Sequence, residues 1–388
     1  MSKLFAITVF LVSLPLVTSA DVWIEEDPEI VEYKLDWARI TPDVVSSGTT
    51  HEITWDRVGG GNSVWVTGPD YDAIAKIQTN GIIEYFAMPK GSDPHGIMFD
   101  DNRQLWVSFE GSGFVAQVDE KGRIRQQVDV RMRAEGLDND LDSDFDSDSD
   151  SDFDGHRKRG AKPINVEPHG ITPGPGRGEI WFTGRRTNTV GRFDRWGSVT
   201  HYELDTNPAR LIYLKQGPAG GVWGTELLGN KILRADRHGN VKEYPIPTED
   251  SRPIAITPGP DGNMWFSEEA GRKVARIDQQ GNIVEFPVPL PEGGDRLLVA
   301  GLAFDDRGYL WTHAYRGRTG SEPDGDDFIV RFGREIVNID PEDLSDIEVT
   351  LYPVPSRGTI MHRITQGPDG RIWFTELGTD KVGVLTAD

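Results

Sequence analysis

The chain has 388 residues, with 44 Gly, 25 Pro, 11 Trp and no Cys. The absence of Cys excludes disulfide scaffolds, thiolate zinc sites and cysteine nucleophiles. The 63 acidic residues against 41 basic ones, a net charge of −22, exclude a phosphate-backbone binder, which needs a basic surface.

Residues 1–20 read as a secretory signal peptide. Lys3 supplies the positive start, Leu4 to Val17 the apolar core, and Val17-Thr18-Ser19-Ala20 a small-residue cleavage site before Asp21. The apolar run is about 14 residues, short of the roughly 20 that span a bilayer. A secreted, extracellular or periplasmic, chain is expected, with no membrane contact. It has no Asn-x-Ser/Thr sequon and so no N-glycosylation site.

The 37% apolar fraction can supply a sizeable core. What organises it is a repeat. A Trp follows a turn and a short apolar step at Trp65, Trp106, Trp181, Trp223, Trp265, Trp311 and Trp373, with gaps of 41, 75, 42, 42, 46 and 62 residues. In the clearest copy Pro253 to Thr257 is a strand, Gly259-Pro260-Asp261-Gly262 a turn, and Met264 to Glu268 a second strand. Lys273 to Asp278 and Asn282 to Val288 are the third and fourth. Asp-Gly favours the positive φ of such turns, and four short strands per 40–45 residues mark a propeller blade. A fourth-strand motif recurs at Tyr33, Tyr85, Tyr202, Tyr244, Phe286 and Tyr352, with a degenerate copy near Arg123 to Val130.

Both counts reach seven. The expected fold is therefore all-β, a seven-bladed propeller over 21–388, with blades at 47–90, 92–130, 164–205, 207–248, 250–291, 296–355 and 357–388. The last blade lacks a fourth strand at its C-terminal end, so residues 30–36 are expected to complete it and close the ring. Two separate β domains would not carry one unbroken repeat with matched ends.

Two insertions interrupt the period. The first, 131–163, holds nine Asp and Glu135 between residues 135 and 154. Self-repulsion and the lack of apolar residues predict disorder there. Asp150-x-Asp152-x-Asp154-Gly155 imitates the start of a calcium loop, but Ala161 stands where that loop needs Glu, so only weak Ca²⁺ attraction is expected. Arg157-Lys158-Arg159 beside it is a basic run, solvated or open to a processing protease. The second insertion, about 316–345 in blade six, is also polar.

Candidate chemistry sits where the first strand of each blade starts, near the axis. The residues read there are His51, His95, His169, Arg210, Ile254, Gly301 and His362. Four of the eight His thus share one structural position, on consecutive blades, and their rings are expected to converge on one side of the axial opening. Carboxylates end the second strand at Glu110, Glu226, Glu268 and Glu376, and Asp93 and Glu167 lie two residues before His95 and His169. Asp93, His95 and Glu110 place two carboxylates and an imidazole on one blade edge. Carboxylates and water can hold a hard cation such as Mg²⁺, a neutral imidazole can act as general base, and the cation would steady enolate charge.

These pieces resemble the streptogramin B (virginiamycin B) lyase family. The matching motifs are Pro168-His169-Gly170-Ile171-Thr172, the Gly-Pro-Asp-Gly turns before Trp265 and Trp373, the Trp373-Phe374-Thr375-Glu376 strand, and the Glu243-Tyr244-Pro245-Ile246-Pro247 run. The resemblance spans about residues 30–388 outside the insertions. It implies a seven-bladed propeller that opens a cyclic depsipeptide at its ester by Mg²⁺-dependent elimination. On this pattern His95 is the base, Asp93 and Glu110 are metal ligands, and His51 contacts the substrate, with His169 and His362 alongside. The chain departs from the family in Asp93 where Glu is usual, in Arg185 where blade three would carry its second Glu, and in the insertions and export signal.

Three functions stay open. The first is a carbon–oxygen lyase acting, as a monomer, on a small-molecule or cyclic peptide ester. The second is a secreted binding propeller without turnover, holding a glycan, peptide or metal on the same His-rich face. The third is a metal-dependent lactonase, against which seven repeats count.

Overall fold

The computed structural model describes residues 21–46, 48–132, 162–291, 293–317 and 325–387. Over these the chain forms seven antiparallel four-stranded sheets around one axis, joined by short turns and a few single-turn 3-10 helices. The inner-to-outer strand order follows the chain, as the repeat predicts. Blade five, for example, runs Pro253–Pro258, Met264–Glu268, Lys273–Ile277 and Ile283–Pro287. No helix among the described residues is long and apolar enough to cross a membrane. The expected signal peptide, most of the acidic insertion with its calcium-like run, and the basic run at 157–159 lie outside the described residues.

The ring closes as expected. Glu29–Lys34 pairs antiparallel with Lys381–Thr386 in blade seven, in the register Tyr33 to Val382. An addition lies just before it. Asp21–Ile24 adds a parallel fifth strand to the outer edge of blade six, along Glu348–Pro353. Blade six is also where the second insertion falls, with 3-10 turns at Arg334–Asn338 and Pro341–Asp346 that tuck Ile336 and Leu344 into the core.

The repeated residues meet in space. Outside blade two, each second-strand Trp packs on a fourth-strand aromatic of its own blade. Trp181 and Tyr202, Trp223 and Tyr244, and Trp265 and Phe286 have ring centroids 5.5–5.9 Å apart. Closure brings Tyr33 onto Trp373 at 6.1 Å. Such pairs are worth about 0.5–1.5 kcal/mol each beyond their buried area. The third-strand Arg then covers the Trp, as Arg192, Arg234 and Arg331 do over Trp181, Trp223 and Trp311 at 5.3–5.9 Å. Blade two has no fourth-strand aromatic, and Trp106 packs on Phe193 of blade three instead. That explains its degenerate motif.

Blades are locked together by a second repeat. Two residues beyond the Trp sits a buried Ser or Thr: Thr67, Ser108, Thr225 and Thr375 in blades one, two, four and seven. Its hydroxyl accepts an N–H from its own first strand and donates to the first strand of the next blade. Ser108 Oγ accepts from Gly96 N at 2.8 Å and donates to His169 O at 2.9 Å. Thr375 repeats this with Arg363 N and with His51 O across the closure. The donating N–H is free because six first strands carry a β-bulge at this point, as between Pro94 and Ile97. A bulge displaces the residues that follow it relative to the partner strand. Gly96 fits the bulge because a Cβ there would stand 2.4 Å from His169 O.

Candidate functional site

The bulge settles which residues face the axis. Aligned on it, the first-strand position holds His51, His95, His169, Ile212, Ile254, Ala300 and His362. Arg210 and Gly301, placed there from the sequence, are corrected. The bulge shifts register, so Arg210 belongs two residues earlier, with Asp93 and Glu167, and Gly301 one residue later, with Gly96. Asp93, Glu167 and Arg210 all have left-handed backbones, with φ of 49, 54 and 51°.

The four imidazoles converge. Ring centroids lie 3.7 Å apart for His362 and His51, 3.9 Å for His51 and His95, and 3.5 Å for His95 and His169. They form one arc, in blade order seven, one, two, three. Ile212, Ile254 and Ala300 complete the circuit within one apolar cluster.

Under the histidines lies a layer the sequence reading missed. Glu52 and Arg363 follow His51 and His362 directly, and their side chains form a buried ion pair at 2.7 Å. The Arg363 guanidinium also lies 4.4 Å from the ring centre of Tyr213, on blade four. Blades seven, one and four thus meet across the axis. The available signal was a pair of opposite charges in otherwise apolar inner strands, on blades that adjoin only once the ring is closed.

Glu110 is the one strand-end carboxylate of the four candidates that meets this arc. Its Oε2 accepts from His169 Nδ1 at 2.7 Å and lies 3.9 Å from His95 Nε2, while its Oε1 is paired with Arg185. Arg185 also lies 3.2 Å from Glu167. Glu226, Glu268 and Glu376 end their strands one residue sooner after the Trp. A one-residue shift puts a side chain on the opposite face of a strand. They are buried instead beside the Lys and Glu of strands three and four of their own blades: Lys231 and Glu243, Lys273 and Glu285, Lys381 and Glu32.

Burial, followed by the neighbouring imidazoles, holds His95 well below its usual range. Burial does the same for His169 and His362, with the nearby cations adding to it. His51 is lowered by burial against the pull of Glu52. Burial and the facing charge of Glu110 raise Asp93 to about 6. Burial raises Glu110 to about 7 in spite of Arg185. For Glu52 burial is outweighed by Arg363 and His51, which hold it down to about 2.

Two groups of donor atoms lie within 4.8 Å of one another, His51 with Glu52 and His95, and His95 with Glu110 and His169. Both centre on His95. Its Nδ1 is buried and has no hydrogen-bond partner. Clefts of about 600 Å³ beside Trp23 and 540 Å³ beside Trp65 contain none of the four histidines.

The virginiamycin B lyase family matches residues 153–319. That stretch contains Glu167, His169 and Arg185 but stops short of Asp93, His95 and Glu110. No curated protein matches the chain significantly. Among solved structures, a streptogramin B lyase superposes with a TM-score of 0.69 at 22% identity, over 92% of this chain and 97% of that one. The virginiamycin B lyase of Staphylococcus aureus gives 0.68 at 24% identity, over 93% and 100%. YCF48 bound to D1 peptide gives 0.56 at 14%, over 97% and 100%. At these identities the likeness establishes the fold, a seven-bladed propeller of the streptogramin lyase kind. The resemblance read from the motifs is borne out.

Proposed function

We propose, starting from the match to the virginiamycin B lyase family, that the protein is a carbon–oxygen lyase that opens an ester of depsipeptide type by elimination. The observation that carries this reading is the state of His95. Its Nδ1 is unpartnered, its ring lies between His51 and His169 and faces Glu110, and burial holds its proton affinity well below the usual imidazole range. A base must be deprotonated at working pH and have a free nitrogen to receive the proton. His95 takes the proton from a carbon α to a carbonyl and β to the ester oxygen. A carbon–carbon double bond forms as the carbon–oxygen bond breaks. His51, His169 and His362 bind the substrate around it, and burial excludes competing water. The substrate is a small-molecule or cyclic peptide ester, met outside the cell by a monomeric, exported chain.

A divalent cation such as Mg²⁺, when bound, would neutralise enolate charge, and Asp93 and Glu110 are the carboxylates that would hold it. Their raised proton affinities mark a pair that a cation would relieve. Glu110, however, has Arg185 on one oxygen and His169 on the other. With Arg185 in place the donor set does not fit the ion, and no step here is routed through it.

The same closed network supports a second reading, a secreted binding propeller that holds its ligand on the histidine arc without turnover. Product analysis separates the readings. An unsaturated product from a depsipeptide ester supports elimination, a hydroxy acid means hydrolysis, and an ester recovered unchanged leaves binding. Turnover that survives His95→Ala in full would remove His95 as the base.

A further inference from the structure

Beside the axial site, between blades three and four, lies a cavity of about 330 Å³ whose lining includes Arg185, Arg186, Arg210, Glu167 and Asn207. Three guanidiniums around one hollow are unusual in a chain with a net charge of −22. Other arginines are spent on carboxylates, as in Arg103 with Asp56 at 2.9 Å and Arg123 with Asp119 at 2.8 Å. Among the described residues Arg186 and Arg210 form no such pair, and both are exposed. Arg185 is partly exposed and joins the two places, since it lines the cavity and is paired with Glu110. Arg210 is close enough to act on the charge of Glu110. It and Glu167 are held there by the left-handed backbone that recurs at this point of the repeat.

We propose that this cavity is a carboxylate subsite, which receives the carboxylate that departs when the ester bond breaks. The assignment of that carboxylate as a leaving group rests on the lyase reading. When His95 takes the α proton, the C–H electron pair becomes the new double bond. The electron pair of the alkyl carbon–oxygen bond leaves with the ester oxygen, as a carboxylate. A planar two-oxygen anion matches the forked donors of guanidinium groups, and developing charge on the leaving group is met by fixed cations. Arg185, the residue that departs from the family pattern, links the base to the leaving-group pocket.

The test uses the full chain and two probes, a short linear peptide ending in a free carboxylate and the same peptide as its C-terminal amide. Isothermal titration is expected to show the acid bound at least about tenfold more tightly than the amide. Arg186→Gln and Arg210→Gln, exposed positions whose loss spares the core, are each expected to erode that preference severalfold. Equal binding of acid and amide, no binding of either, or a preference that both variants keep would overturn the subsite. Failure of the lyase reading looks different: the preference for the acid stands while no ester yields an unsaturated product.

Discussion

Blades two and three, set beside blades five and six, show one scaffold position used in two ways. Glu110 and Glu269 each lie four residues past a second-strand Trp and are buried. Each pairs with the corresponding residue of the next blade. For Glu110 this is Arg185; for Glu269 it is Tyr315, whose hydroxyl donates at 2.6 Å. Each also has the left-handed residue of a first strand nearby, Asp93 for Glu110 and Arg252, bound at 2.9 Å, for Glu269. The difference lies in what stands inside them. Glu110 meets His95 and His169, whereas the first strands of blades five and six put Ile254 and Ala300 on the axis. A carboxylate in this position is scaffold until an imidazole faces it. The axial imidazoles are confined to four consecutive blades.

That contrast can be broken most sharply at the base. His95→Gln is expected to cut unsaturated-product formation by about 10²–10⁴, the usual contribution of a general base, with little change in the thermal midpoint. A full loss of folding instead would make His95 a structural residue like its apolar counterparts.

The layer beneath is next in size. Arg363→Met leaves Glu52 buried without its partner and is expected to cost about 3–5 kcal/mol in urea unfolding. Glu52 is held down to about 2 from 4.5, so its contribution is present above about pH 4.5 and lost as the pH falls through about 2. Arg363→Met should remove this acid-side dependence, and a variant as stable as the parent would show that the pair does not hold blades seven and one together.

Glu268 tests the other face of the strand. Burial and Glu285 raise its folded value to about 8 from 4.5, and Glu226 behaves alike. The stability these protonated groups contribute is complete below about pH 4.5 and is lost as the pH rises through about 8. Glu268→Gln keeps the neutral shape and is expected to flatten the fall in the urea midpoint between about pH 4.5 and 8, with turnover unchanged. An unaltered pH profile would place the titration elsewhere.

The smallest effect belongs to the scaffold twin. Glu269→Gln keeps an acceptor for Tyr315 but loses the charge facing Arg252, for about 1–2 kcal/mol of stability and no change in product formation. A large loss of turnover would show that the apolar arc takes part in the reaction after all.

Much of this was readable from the chain. The Trp spacing, the fourth-strand aromatics and the matching ends specify seven blades and their closure, because each blade is a local unit and its period is written in consecutive residues. The four histidines were legible as a set for the same reason: they recur at one point of the repeat. The fifth strand on blade six was not, since Val22, Trp23 and Ile24 lie outside the repeat and stay exposed in the fold.

What the tertiary structure alone decided is which neighbours those repeated residues meet. The bulge moved Arg210 and Gly301 off the axial position, because a one-residue irregularity is invisible in a pattern of apolar and turn residues. Ring closure brought Glu52 to Arg363 and carried Arg363 across to Tyr213. The interface between blades two and three set Arg185 on Glu110. These contacts join different blades, and no local periodicity encodes a pairing between residues that become neighbours only when the ring has closed.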